Sequence, residues 1–337
     1  MTYKTIFPTH FSPSMLSDIY RCEMYFFRQY CQCFVGRVKN PDLIAGGHIA
    51  KACEITRNAF FTGGLSETDA IELGSDHILE SEDTGDRVKS NENVALAFRK
   101  YFTKFKLSSE LEAASLADGT HAVEYKFLFD MGIPHPALKG TNILFTGRLD
   151  YLGQKITTAG YKYYGVDEKT CKQIARIAES KAPDYAKELQ SYRTSTQIMA
   201  YAWAAQQLGI TLESFLIRRI PIMNEFNPSF ELEVPLNQFM IDTWYRSTRA
   251  RLLALTEKYK TYVDSIQGVS DRHPHEVFQP SYDTTSCIAY SRPCAYLDGC
   301  TYPEGELMIA NRFMQRVYDR EKRIEVTIED YIKQENL

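Results

Sequence analysis

The order of helical and strand-like patterns along the chain predicts a mixed α/β fold: a mixed central β-sheet flanked by helices, with a helical N-terminal region before it and a cysteine-bearing tail after it. Three observations predict it. Helical preference dominates to about residue 115, period-two alternation sets in at Ala122, and helical segments then interrupt and follow the strands, as they do where helices cover a sheet. With 337 residues, 44% hydrophobic and 24% charged, the chain has the apolar material for a large core, which excludes disorder as its dominant state. No linker, repeat or low-complexity tract divides it. It reads as a single domain with a helical part (1–120), a sheet core (121–236) and a C-terminal helix and tail (237–337).

Ser12-Pro13 is a helix start, and Leu16, Ile19, Tyr20, Phe26, Phe27 and Tyr30 give an apolar face to a helix from Ser14 to about Phe34. Gly46-Gly47 opens a second helix to about Phe61, closed by Gly63-Gly64, and residues 65–115 are mainly helical with a polar break at 81–89. From Ala122, the residues Val123, Tyr125, Phe127 and Phe129 alternate with Glu124, Lys126 and Leu128 before a Gly-Ile-Pro-His-Pro turn. Asn142 to Gly153 and Tyr161 to Thr170 complete a meander of three strands. Ser191 to about Leu208 is helical with Gly209 as its stop, Phe215 to Met223 and Phe230 to Val234 are further strands, and Asn237 to about Ile266 is a long amphipathic helix.

Thirty-nine Lys and Arg against 43 Asp and Glu give a net charge of −4, so any contact with nucleic acid must come from a local patch. The longest apolar stretch, Ile198 to Trp203, falls far short of the roughly 18–20 residues of a membrane span, and the N-terminus has no basic, apolar, small-residue leader. A cytoplasmic, reducing setting with no membrane partner is therefore expected. There, the eight cysteines point to packing or to metal or cluster ligation rather than to disulfides.

The sharpest chemical feature is Gly147-Arg148-Leu149-Asp150 followed by Asp167-Glu168-Lys169 on the next strand. Side chains alternate along a strand, so Asp167 and Lys169 project to one face and Glu168 to the other, and strand pairing can bring Asp150 beside them. Two carboxylates and one lysine suit Mg²⁺ or Mn²⁺ and phosphoryl hydrolysis, in which metal-bound water attacks phosphorus and cations stabilise the developing charge. A plain Asp-Lys salt bridge on a hairpin is the bland alternative. Gln197 and Tyr201 are four residues apart on the helix that follows, so they can reach one ligand. Glu124 fits a solvated strand face as well as a site, and Arg148 fits a phosphate contact as well as a carboxylate pair.

In this ordered company the sequence resembles the PD-(D/E)XK nuclease superfamily, and within it the RecB-like exonuclease branch, which includes CRISPR-adaptation nucleases and phage recombination exonucleases. The resemblance spans nearly the whole chain. Its helical histidine is matched by His48 in Ala45-Gly46-Gly47-His48, its Asp by Asp150, its D-x-K by Asp167-Glu168-Lys169, and its Q-x-x-x-Y by Gln197 to Tyr201. The resemblance implies a restriction-endonuclease-like core. It also implies that His48, Asp150, Asp167 and the backbone carbonyl of Glu168 hold Mg²⁺ or Mn²⁺, that Lys169 positions or activates water, and that Gln197 and Tyr201 orient Lys169 or the DNA.

The iron-sulfur members of that branch join one N-terminal cysteine to three near the C-terminus. Cys22, Cys287, Cys294 and Cys300 match them, with five residues between the last two, although the six between Cys287 and Cys294 exceed the family's shorter interval. The resemblance thus implies a 4Fe-4S cluster; zinc and simple packing remain open, with Cys31 and Cys33 as replacement ligands. Either cage would staple the first helix to the tail and close a DNA channel.

From Lys169 to Arg193 the six cations Lys169, Lys172, Arg176, Lys181, Lys187 and Arg193 face only Glu179, Asp184 and Glu188, a composition suited to holding phosphates without reading bases or to a solvated loop. Tyr163, Tyr164, Tyr185 and Tyr192 offer rings for stacking on bases or for packing. The expectation is a metal-dependent DNA exonuclease acting at ends, single-stranded DNA favoured, in recombination or repair, with a recombination or replication protein as partner and a host-cytoplasm setting if phage-encoded. An idle nuclease-like DNA-binding subunit with a structural cysteine cage and an RNA-directed nuclease are the alternatives.

Overall fold

The computed structural model describes residues 4–36, 40–109, 111–116, 119–171, 185–222, 229–269, 273–289, 292–302, 305–319 and 324–335. In chain order the first elements are β1 (His10–Phe11), α1 (Pro13–Arg21), α2 (Glu23–Phe26), β2 (Phe34–Gly36), α3 (Pro41–Arg57), α4 (Glu67–Glu80), α5 (Asn91–Lys104), β3 (Glu112–Ala113), β4 (Val123–Pro134), β5 (Asn142–Thr157) and β6 (Gly160–Cys171). There follow α6 (Tyr185–Arg193), α7 (Thr196–Gln207), β7 (Leu212–Pro221), β8 (Phe230–Pro235) and α8 (Gln238–Ile266). The tail contains α9 (Pro274–Val277), α10 (Thr284–Cys287), β9 (Ile288–Ala289), β10 (Arg292–Pro293), α11 (Leu297–Thr301), α12 (Gly305–Arg312), β11 (Phe313–Asp319), β12 (Ile324–Thr327) and α13 (Ile328–Glu335).

The fold is mixed α/β, as the patterning predicts. The central sheet runs β1-β5-β6-β7-β8 with β3 and β4 also on β5, and it combines antiparallel β5/β6 and β7/β8 pairs with a parallel β6/β7 pair. Among the described residues no helix is long and apolar enough to cross a membrane.

The chain sorts into two compact units, Met1–Val38 with Leu128–Thr146 and Tyr245–Leu337, and Lys39–Phe127 with Gly147–Trp244. The first has an aromatic centre in which Phe27 stacks on Phe278 at 4.5 Å and meets Tyr262 edge-on at 4.8 Å. Its first helix breaks earlier than the apolar spacing predicts. Cys22 is extended (φ −166°, ψ 122°), α2 restarts at Glu23, and a wider turn through Phe27–Cys31 leads to β2, which pairs with β11. The expected Gly-Ile-Pro-His-Pro turn comes later as well: β4 continues through Pro134, and buried His135 makes the turn by accepting the Ala137 and Leu138 N–H groups on Nδ1.

The second unit holds the sheet from Tyr151 onward in β5 through β6, β7 and β8, covered on one face by α3, α4 and α5. α3 begins five residues before the predicted Gly46, because Asn40 caps it by accepting the Asp42 N–H at 3.0 Å and Pro41 takes the first helical position. Ala45, Ile49 and Ala52 of α3 pack with Ala70 and Ile78 of α4 and Val94, Phe98 and Phe102 of α5.

At the closest approach of α3 and α4, a Cβ on Gly74 would meet Thr56 Oγ1 at 2.1 Å, Phe98 Cζ at 2.8 Å and the Ala52 carbonyl at 2.9 Å. Thr56 in turn donates to the Ala70 carbonyl at 3.0 Å. Gly74→Ala therefore forces the helices apart and is expected to destabilise the protein by about 1–3 kcal/mol. Thermal unfolding followed by circular dichroism checks this, and an unchanged transition would contradict the close crossing.

Candidate active site and cysteine cavity

The D-x-K motif sits on β6, between antiparallel β5 and parallel β7, and strand alternation divides its side chains between the two faces. Glu168 points toward α3 and α5, where it is 4% exposed, ion-paired with Arg57, and accepts the Tyr101 hydroxyl at 2.6 Å. Burial alone would raise the Glu168 pKa. The Arg57 charge and the hydrogen bonds from Arg57 and Tyr101 outweigh it and hold the carboxyl below its usual range. Arg57 also lies 4.5 Å from the centroid of the Tyr151 ring.

On the other face, the Lys169 ammonium contacts both oxygens of buried Asp167, at 2.8 and 2.7 Å. Gln197 Nε2 reaches Asp167 Oδ1 at 3.2 Å and the Tyr201 hydroxyl at 3.3 Å, so the glutamine orients Asp167 directly rather than Lys169. Tyr201 stacks on Phe215 with ring centroids 6.0 Å apart. That stack needs Gly165, whose Cβ would lie 2.3 Å from the Phe215 ring.

The last registered β5/β6 pair is Tyr151 with Val166, so Asp150 comes next to Asp167, and its Oδ2 accepts the Glu168 N–H at 3.2 Å. Burial and the Asp167 charge push Asp150 well above the carboxylate range, and burial raises Asp167 despite the lysine. Burial would lower Lys169, but the two carboxylates outweigh it and raise its pKa. Two buried oxygen acids compensated by one ammonium have the donor chemistry of a Mg²⁺ or Mn²⁺ site. Among the described residues, no three His, Cys, Asp or Glu side chains are gathered closely enough to hold a metal ion as they stand.

The structure does not bring His48 to this group. Arg57 and Gly46, which faces Thr170 of β6, are eleven residues apart on α3 and share one side of it; His48, two residues beyond Gly46, is turned about 200° away. The charged groups that act on its ring are His77 and Glu82, burial lowers its pKa, and its Nδ1 is buried without a hydrogen-bond partner. The expected histidine ligand is thus displaced by the phase of the helix.

Glu124 takes the opposite course. Its side chain is only 7% exposed, its backbone is left-handed (φ 51°), and it pairs with Arg148 at 2.5 Å. Its charge acts on both Asp150 and the Tyr201 hydroxyl, so it belongs to the site rather than to a solvated strand face. Arg57 and Tyr101 escape sequence reasoning because they are remote in the chain and carry no motif, whereas Glu124 is an open candidate on its strand. Lys172, Arg176, Glu179, Lys181 and Asp184 of the expected basic segment lie outside the described residues. Tyr164 packs beside the Tyr151 cluster, Tyr185 against Phe230, and Tyr192 against Arg219.

In the first unit, Cys22, Cys287, Cys294 and Cys300 line one small cavity of about 30 Å³, together with Tyr25 and Tyr282. The break at Cys22 and the short elements α10, β9, β10 and α11 place them there. Burial raises the Cys294 thiol and pushes Cys300 up to about 11, and in each case the other cavity thiols add to the rise while an arginine, Arg21 or Arg28, opposes it. Four thiols lining one cavity are the donor types of a cluster or of zinc, although as they stand they too are not gathered closely enough to hold an ion. Cys31 and Cys33 are buried elsewhere, Cys33 beside Ile6 and Ile328, and do not serve as replacements.

No family model and no curated protein matches the chain. Among solved structures it is similar to one described as the crystal structure of SSO0001, at 11% identity over 63% of this chain and 86% of that one, with a TM-score of 0.23. A likeness at that level carries no argument about chemistry.

Arg57→Met leaves Glu168 buried and uncompensated and is expected to destabilise the protein by about 3–5 kcal/mol in urea unfolding. A loss below about 1 kcal/mol, the size of a surface pair, would contradict the buried pair. Burial lifts the Glu124 pKa from 4.5 to about 7 although the Arg148 charge opposes it. Its protonated form therefore contributes stability that is present below the unfolded pKa and lost as pH rises through the folded one. Glu124→Gln removes that loss, so its stability relative to the parent should improve by up to about 3 kcal/mol between pH 4 and pH 8. A pH-independent difference between the two unfolding curves would contradict it.

Proposed function

We propose that the chain is a metal-dependent deoxyribonuclease of the PD-(D/E)XK kind, hydrolysing phosphodiesters at DNA ends, with single-stranded ends favoured, in recombination or repair. One observation carries this reading: Asp150, Asp167 and Lys169 share one sheet face with Gln197 and Tyr201 against them. The resemblance of the motif order supplies the choice of DNA and of ends.

In this reading Asp150, Asp167 and the Glu168 carbonyl would hold Mg²⁺ or Mn²⁺, which would supply an acidified water and charge neutralisation at the phosphate. Lys169, kept near Asp167, carries the ammonium that stabilises negative charge on the phosphate oxygens. Gln197 and Tyr201 fix the Asp167 carboxylate, and the Glu168 N–H fixes that of Asp150. Cys22, Cys287, Cys294 and Cys300 would hold a 4Fe-4S cluster that ties the first helices to the tail helices within their unit.

The test is digestion of end-labelled and circular DNA, and of RNA, with Mg²⁺ or Mn²⁺ under anaerobic conditions. The parent protein should degrade labelled linear DNA and stop on chelation. Lys169→Ala should bind DNA but cut at least about 100-fold more slowly. Equal cutting by both would refute the role of Lys169, and the absence of any nucleic-acid cleavage would refute the enzyme. The same preparation should be brown, with visible absorbance lost in Cys294→Ser and Cys300→Ser; colourless, iron-free anaerobic protein would refute the cluster.

A further inference from the structure

Two arginines stand side by side on β7, and the alternation that divides β6 divides them too. Arg218 faces the α5 side and is fully committed: its Nε donates to Glu231 Oε2 at 2.8 Å and its guanidinium lies 4.4 Å from the Phe105 ring centroid. Arg219 faces the other way. The parallel β6/β7 register pairs it with Lys169, so the two cations sit on neighbouring strands about 4.8 Å apart, on the face that carries Asp167.

Arg219 is held but not saturated. Its Nη1 donates to the Tyr192 hydroxyl at 2.7 Å, and its Nη2 stands 3.8 Å from Glu188, a loose pair. The Cys171 thiol lies beside it. Its side chain is 15% exposed, yet its Nε is buried without a hydrogen-bond partner. A guanidinium offers five N–H donors in a fixed fork suited to a tetrahedral oxyanion, and a buried donor left open is unfavourable unless a further acceptor arrives. Tyr192 connects this fork to the site, because the charges of both Lys169 and Asp167 act on its hydroxyl.

We propose that Arg219 is a second phosphate-binding cation of the active site: its guanidinium grips a non-bridging oxygen of the DNA phosphodiester beside Lys169, and Tyr192 is the positioning residue that aims it. The inference rests on the nuclease reading and deepens it. Lys169 is a point charge committed to Asp167, whereas Arg219 supplies the directional grip that places the phosphate over the carboxylates.

The experiment compares parent, Arg219→Ala, Arg219→Lys and Tyr192→Phe proteins, each confirmed folded by its thermal transition, in cleavage of an end-labelled single-stranded oligonucleotide with Mn²⁺. Arg219→Ala should lose about 100-fold in kcat/KM, Arg219→Lys should recover part of it, and Tyr192→Phe should lose about 10-fold. Added guanidinium ion should restore cutting to Arg219→Ala. Measured by fluorescence anisotropy in the non-cutting Lys169→Ala background, the slope of log Kd against log salt should flatten by about 0.7 when Arg219 is also replaced, the value for one lost single-strand phosphate contact.

A fully active Arg219→Ala protein with an unchanged salt slope overturns the inference and leaves the nuclease standing. Lost activity with no guanidinium rescue and an unchanged slope reduces Arg219 to a structural role and overturns it equally. A parent protein that cuts no nucleic acid overturns the nuclease reading, and this inference with it.

Discussion

The candidate site depends on one buried ion pair behind the sheet, between Arg57 of α3 and Glu168 of β6. Both side chains are almost wholly removed from water, and Glu168 also receives the Tyr101 hydroxyl. Such a pair contributes little net stability compared with apolar packing, but losing one partner strands the other charge in a low-dielectric interior. Its consequence here is geometric. Anchoring Glu168 on the α3 side fixes the phase of β6, and alternation then delivers Asp167 and Lys169 together to the opposite face.

The rest of the second unit follows from that division. The α3 side is closed by apolar contacts and committed charges: Arg57 with Glu168, Arg218 with Glu231, and Tyr151 beneath the Arg57 guanidinium. The α7 side keeps groups whose needs are incompletely met, namely two buried carboxyls of which Asp167 raises the proton affinity of Asp150, one lysine between the oxygens of one of them, and an arginine with an open Nε. Phe215 crosses over Gly165 to brace Tyr201, so even the packing on that face is organised around the polar cluster. In the first unit a similar logic applies on a smaller scale. The extended backbone at Cys22 interrupts a helix and in doing so turns its thiol to the cavity shared with Cys287, Cys294 and Cys300.

Much of this was legible in the residues themselves. Alternation announced β4, apolar and aromatic-rich runs announced β5 and β6, the D-x-K tripeptide announced which side chains would share a face, and the four-residue spacing of Gln197 and Tyr201 announced that both would reach one place. The grouping of cysteines at the two ends pointed to a meeting of those ends, and the resemblance, not the spacing, singled out Cys22 with Cys287, Cys294 and Cys300. What stayed hidden depended on angles and partners that spacing does not encode. The helix of His48 was plain, but its rotation was not, because Arg57, nine residues further on, sets that rotation by pairing with Glu168. Glu124 sits in an alternating strand, yet its left-handed backbone and its pair with Arg148 bury it. The company of Lys169 and Arg219 exists only through the parallel register of strands far apart in the chain.

The most direct test of the central claim is uptake of Mn²⁺, followed by loss of the free-ion electron paramagnetic resonance signal, in the parent protein and in Asp150→Asn, Asp167→Asn and His48→Gln. The account predicts tight binding in the parent, its loss in both aspartate variants, and its retention in His48→Gln. Binding untouched by both aspartate changes, or none at all in the parent, would contradict it.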